Sequence, residues 1–172
     1  MQSEHAQPQL KFDKWFVHCA TLGLIGRIPK APGTFGSLPG VVLGWAAFEM
    51  FINSPTMTTT KHAMIASILI LAITAFSWVT IAACEKYWGA HDRKEIVIDE
   101  LAGQFIPIII CGTHFWTLAL SFAFFRFFDI LKPWPVGHID KEWPGAHGTL
   151  FDDIAAGIMA AVLIFPIHHL WS

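Results

Sequence analysis

The segment His62–Cys84, which reads HAMIASILILAITAFSWVTIAAC, decides the fold class because it contains no Asp, Glu, Lys or Arg. A helix needs about 20 apolar residues to cross the roughly 30 Å hydrocarbon core of a bilayer, and this segment is long enough. Leu101–Phe125 and Ile154–Ser172 are equally free of these charges, and Leu38–Ile52 is a shorter candidate with a single charge at Glu49. The pattern predicts an all-α, polytopic membrane helical bundle with about four apolar spans.

The composition agrees with this prediction and excludes some functions. Of the 172 residues, 54% are hydrophobic and 14% are charged, which is more apolar than a typical soluble domain. We expect a polar N-terminal tail over residues 1–14 and a single membrane-embedded domain over residues 15–172. The net charge of −2 and the absence of a basic patch argue against binding to nucleic acid. The three cysteines have no paired spacing, so they predict neither a zinc site nor a disulfide framework.

Two adjacent carboxylates, Asp99 and Glu100, stand directly before the apolar segment that begins at Leu101. Ionisable residues at membrane depth are costly, so they are functional candidates by default. Neighbouring helical residues point about 100° apart, so that one carboxylate can bind a metal while the other orients a water molecule. The alternative is an acidic first turn that the helix dipole stabilises.

A second group consists of Arg126, Asp129 and Lys132, which recur every third residue on one side of a predicted helix. Two cations around one carboxylate leave a surplus positive charge that suits a phosphate group. An ion pair within the helix is the alternative interpretation.

A third group, Asp152 and Asp153, repeats the pair of adjacent carboxylates at the start of the last apolar segment. Carboxylate oxygens are the ligands that Mg²⁺ prefers. Thr149 and Asp152 also have the spacing of a capping box, which gives Asp152 a structural explanation.

The segment Gly26–Gly40 is rich in proline and glycine and is predicted to be a loop. Within it, the hydroxyls of Thr34 and Ser37 can donate to phosphate oxygens, and Ser37 can cap the helix that follows. The spacing of a P-loop is absent, so a simple turn with a cap explains the segment equally well.

Two further predictions concern chain breaks. Lys132–Gly148 is predicted to be a second loop with prolines and glycines near its ends. Pro107 and Gly112 interrupt the segment Leu101–Phe125 and predict either a kink or a break into two shorter helices.

Four motifs, taken in order, resemble the phosphatidylglycerophosphatase A family. They are PGTFGS at residues 32–37, VIDELAG at 97–103, FRFFDILKPWP at 125–135 and GTLFDDIAAG at 148–157. The resemblance implies a helical, multi-pass protein of the bacterial inner membrane that removes the terminal phosphate of phosphatidylglycerophosphate to give phosphatidylglycerol, with Mg²⁺ as cofactor. The positions that match are Asp99, Glu100, Arg126, Asp129, Lys132, Asp152 and Asp153. In the segment before Gly148, Ala146 and His147 depart from the smaller or more flexible residues that the family pattern leads us to expect.

From these residues we expect direct attack of water on the phosphate, because the sequence lacks both an Asp-x-Asp nucleophile pair and a Cys followed five residues later by Arg. The expected catalytic residues are Asp99, Glu100, Arg126, Asp129, Lys132 and Asp153. The expected ligands of one or two Mg²⁺ are Asp99, Glu100, Asp129, Asp152 and Asp153. The expected phosphate-binding residues are Thr34, Ser37, Arg126 and Lys132. Which carboxylate acts as general base stays open.

Two other functions could also use carboxylates in a membrane protein. A CDP-alcohol phosphotransferase would require an Asp-Gly-x-x-Ala-Arg motif, which is absent. A small membrane ion transporter or channel subunit would use intramembrane carboxylates to line a pathway near the bilayer midplane. The carboxylates here stand at the edges of the apolar segments beside cations that suit phosphate, which favours the phosphatase.

Overall fold

A computed structural model describes residues 11–91 and 93–171 of the protein. All regular secondary structure in these residues is helical. This part of the chain confirms the all-α prediction. A short 3₁₀ turn spans Ile25–Arg27. The helices are α1 (Trp15–Ala20), α2 (Pro32–Phe51), α3 (Thr59–Trp88), α4 (Ile98–Cys111), α5 (Phe115–Leu131), α6 (Val136–Glu142) and α7 (Ala146–Trp171).

Most of the predicted N-terminal tail, residues 1–10, lies outside the described residues. Residues 11–14 precede α1 and contact the end of α3. The indole of Trp88 donates a hydrogen bond to the carbonyl of Lys11 (2.9 Å), and the hydroxyl of Tyr87 donates to Asp13 (2.7 Å). The chain before α1 is therefore tied to the end of α3.

Two helices in the described part of the chain, α3 and residues Ala146–Ile167 of α7, are long and apolar enough to cross a membrane. The prediction of one span over Leu101–Phe125 is wrong, because α4 ends at Cys111 and α5 begins only at Phe115. The break falls at Gly112, whose φ of 93° is readily adopted only by glycine. Helix α4 has 14 residues, so it rises only about 21 Å. Four spans are therefore not confirmed.

The predicted loop Gly26–Gly40 is wrong from Pro32 onward, where α2 begins. Proline fits the first position of a helix, since its missing N–H has no partner there. Glycines of α2 then face α4 at very short range. A Cβ built on Gly36 would lie 2.7 Å from Cβ of Val97, and one on Gly40 would lie 2.6 Å from the carbonyl oxygen of Leu101. The glycines thus stabilise a helix by close packing rather than forming a loop.

Helix α4 is the centre of the bundle and is almost entirely buried between α2, α3, α5 and α7. Its contact with α7 also depends on glycine. A Cβ built on Gly157 would lie 2.2 Å from the carbonyl oxygen of Gly103, so the two backbones touch. This packing fixes the N-terminal half of α4 against α7.

The predicted loop Lys132–Gly148 contains α6, and α7 begins before the loop was expected to end. The bundle has two ends, and at each of them the ends of different helices contact one another. At one end, here called the site end, Gly33 of α2 contacts Glu100 of α4, and Thr149 of α7 contacts Glu85 of α3. At the other, the far end, Thr113 donates to Glu49 (2.6 Å) and the ring of His62 bonds the carbonyl of Ile109 (3.0 Å).

Candidate functional site

Three carboxylates converge at the site end. Asp99 and Glu100 lie in the first turn of α4, Asp153 lies on α7, and one oxygen from each lies within 4.8 Å of the others. One buried oxygen of Glu100 and one of Asp153 have no hydrogen-bond partner. Buried carboxylate oxygens without partners are costly unless a cation neutralises them. The three side chains therefore fit a small, hard cation such as Mg²⁺, which oxygen ligands bind.

The electrostatics of the first turn of α4 also fit a bound cation. Burial raises the pKa of Glu100 well above its ordinary value, and the adjacent Asp99 carboxylate raises that pKa further. Burial also raises the pKa of Asp99. Crowded, desolvated carboxyl groups of this kind become stable anions when a cation binds between them.

The two cations predicted to bind phosphate are both paired with carboxylates. Arg126 contacts Asp129 at 2.5 Å, so the alternative of an ion pair within the helix is confirmed for these two residues. Lys132 instead reaches across to Asp152 on α7 (2.9 Å) and to Asp140 on α6. Burial alone would lower the pKa of Lys132, but the hydrogen bonds with the two carboxylates raise it. Lys132 therefore joins α5, α6 and α7 while carrying a full charge.

A cavity of about 170 Å³ opens among these groups. Its lining residues are Pro32, Arg93, Lys94, Ile96, Asp99, Glu100, Asp129, Lys132, Thr149, Asp152 and Asp153. The structure thus brings all five predicted carboxylates and Lys132 to one cavity. Arg126 does not line the cavity, but it forms an ion pair with Asp129, which does.

The two predicted phosphate-binding hydroxyls lie elsewhere. Neither Thr34 nor Ser37 lines the cavity, and their contact with phosphate stays a prediction. The prediction that Ser37 caps a helix is wrong, because α2 begins five residues earlier. The Ser37 hydroxyl is fully buried, donates to the carbonyl of Gly33 (2.8 Å) and accepts a hydrogen bond from Arg126 (3.4 Å). Ser37 therefore orients the guanidinium.

The predicted capping box at Thr149 and Asp152 is also wrong, because α7 begins at Ala146. The Thr149 hydroxyl donates instead to the buried carboxylate of Glu85 (3.2 Å). Three further residues line the cavity that the sequence analysis did not predict as site residues: Arg93, Lys94 and Thr149. For the two cations, the available signal was a basic pair a few residues before Asp99.

Gly33 sits where α2 meets the carboxylates, and this contact gives a first prediction. A Cβ built on Gly33 would lie 2.1 Å from an oxygen of Glu100, so Gly33→Ala must displace that carboxylate. We expect the phosphate-releasing activity that the sequence resemblance implies to fall about tenfold, because small displacements of reacting groups are costly. Gly44→Ala is the matched control in the same helix, since its Cβ would meet only the side chain of Ile108 at 3.1 Å. Equal activities of the two variants would contradict the prediction.

Residues 18–168 match the family model described as phosphatidylglycerophosphatase A. The phosphatidylglycerophosphatase A of Haemophilus influenzae is 33% identical over 158 residues, covering 89% of each chain. That of Escherichia coli is 31% identical over 150 residues, covering 85% of this chain and 79% of the relative. No solved structure gave a significant match.

Proposed function

The chain belongs to the phosphatidylglycerophosphatase A family, and from this premise we propose that it hydrolyses the terminal phosphate of phosphatidylglycerophosphate. The products are phosphatidylglycerol and inorganic phosphate, the cofactor is Mg²⁺, and the location is the bacterial inner membrane. The observation that supports this proposal best is the single cavity that combines Asp99, Glu100 and Asp153 with the cation Lys132.

In this proposal Asp99, Glu100 and Asp153 hold the metal. Bound Mg²⁺ supplies positive charge to the phosphoryl oxygens and lowers the pKa of water. The oxygens of Glu100 and Asp153 that lack hydrogen-bond partners are the atoms that such an ion would bind.

The other cavity residues act on the phosphate and on the attacking water. Lys132, fixed by Asp140 and Asp152, places a positive charge beside the phosphoryl group, where negative charge accumulates during transfer. Asp129 lines the same cavity outside the three-carboxylate cluster, and Arg126 fixes its orientation. We assign to Asp129 the role of general base that accepts a proton from water.

The position of the cavity suits a lipid substrate. It lies at the site end, where the apolar helices α3 and α7 have one end each. Large apolar side chains remain exposed along α3, including Met64, Ile68 and Leu71. The headgroup would enter the cavity while the acyl chains remain in the lipid. An ion transporter is not favoured, because the carboxylates line a cavity at one end of the bundle together with Lys132.

The test is phosphate release from phosphatidylglycerophosphate by the purified protein in detergent, with Mg²⁺ and with a chelator. We expect release only with a divalent cation, and a loss of release in Asp129→Asn, which removes the proposed base with almost no change of shape. Glu49→Gln is the control, since Glu49 lies at the far end. If the folded protein releases no phosphate with any divalent cation, the proposed substrate is wrong.

A further inference from the structure

Lys94 differs from the other cations of the site. It lines the cavity and is exposed, yet its ammonium makes no ion pair with any residue that the structure describes. Lys132 is held by two carboxylates, and Arg93 pairs with Glu95 at 3.3 Å. Among the cavity cations that the structure describes, Lys94 is therefore the one whose ammonium is available to whatever occupies the cavity.

The backbone that carries Lys94 is fixed in place. The N–H of Val97 donates to the carbonyl of Ala20 (2.9 Å), and the side chains from Glu95 to Val97 are buried. Gly26 packs directly against this segment, since a Cβ there would lie 2.0 Å from the carbonyl oxygen of Glu95. The position of Lys94 at the cavity is thus set by packing, and only its flexible side chain has to move onto a ligand.

The proposed substrate carries two phosphate groups separated by one glycerol. The terminal monoester is the group to be cleaved, and it belongs with the three carboxylates and Lys132. The phosphodiester joins that glycerol to the lipid and keeps its negative charge through the reaction. When the monoester lies among the buried groups, the phosphodiester follows towards the exposed part of the cavity, where a free cation gives electrostatic complementarity.

We propose, on the basis of the proposed function, that Lys94 is a specificity-determining residue that binds the phosphodiester of the substrate. Lysine suits this role because its ammonium is a point charge on a flexible stem and needs no fixed bidentate geometry. The residue contributes to the choice of substrate and leaves the cleavage step to the buried groups.

The experiment compares Lys94→Gln and Lys94→Arg with the wild type in mixed micelles. The matched control is Lys141→Gln, which removes an exposed lysine of α6 that does not line the cavity. In Lys94→Gln we expect KM for phosphatidylglycerophosphate to rise about fivefold with kcat unchanged, the size of one solvent-exposed charge contact. Lys94→Arg should keep the wild-type KM, since it retains the charge.

The two products separate the possible roles. Phosphatidylglycerol retains only the phosphodiester and inorganic phosphate occupies only the monoester position, so Lys94→Gln should weaken inhibition by the lipid and leave inhibition by phosphate unchanged. Equal weakening of both would place Lys94 on the monoester and overturn the inference. Unchanged KM and unchanged inhibition would also overturn it. Absence of turnover by the wild type would instead contradict the proposed function, on which the inference depends.

Discussion

Asp153→Asn is expected to reduce phosphate release about a thousandfold, because it removes a proposed metal ligand. The side chain keeps its shape, but it loses the charge that helps to hold a divalent cation beside Asp99 and Glu100. The same change removes one of several crowded buried carboxyl groups, each of which makes ionisation of the others more costly, so the melting temperature measured without Mg²⁺ should rise. Activity and stability are therefore expected to move in opposite directions.

Thermal unfolding with and without Mg²⁺ checks this interpretation. A ligand that binds only the folded state stabilises it, so Mg²⁺ should raise the melting temperature of the wild type but scarcely that of Asp153→Asn. Glu49→Gln at the far end should behave like the wild type in both measurements. An Asp153→Asn protein that unfolds at a lower temperature without Mg²⁺ would show that the carboxylate has a structural role instead.

Lys132→Met is expected to reduce activity about a hundredfold, because it removes the cation beside the phosphoryl group. It also leaves the buried Asp152 without its ion pair, so the free energy of unfolding should fall by about 2 kcal/mol. Phosphate release and chemical denaturation measure the two effects separately.

The double variant Lys132→Met, Asp152→Asn separates structure from chemistry. Asp152→Asn removes the charge that Lys132→Met leaves unpaired, so it should restore much of the lost stability. A double-mutant cycle measures the interaction energy between Lys132 and Asp152. Activity should stay low, since neither substitution returns a cation to the cavity. Recovery of activity along with stability would mean that Lys132 only holds the helices together.

The sequence indicated the carboxylates that line the cavity better than it indicated the helices that carry them. Asp99, Glu100 and Asp153 attract attention in the sequence because charges at the edge of an apolar segment are costly. These three carboxylates form a cluster because α4 packs against α7. Asp129 and Asp152 instead form ion pairs with Arg126 and Lys132, and these pairs depend on the positions of α5 and α7. Lys132 is spaced three residues from Asp129, and only the left-handed backbone at Lys132 directs it to Asp140 and Asp152.

Two errors in the fold both concern glycine, but for different physical reasons. Glycine and proline in α2 have the composition of a loop, but the glycines allow α2 to touch α4, and this tertiary contact outweighs their poor helix propensity. The segment Leu101–Phe125 has the composition of a span, yet one glycine at 112 divides it. The sequence predicted either a kink or a break in this segment, and the structure has the break. The sequence did not indicate whether the two halves would continue or fold back.

The opposite directions of α3 and α7 have a consequence for sidedness. Where both helices cross a bilayer, Lys61 near the start of α3 faces one aqueous compartment, and Lys94 at the cavity faces the other. In sealed vesicles of uniform orientation, an impermeant amine reagent would modify one of these lysines and spare the other. The pattern of labelling would reveal from which leaflet the enzyme takes its lipid.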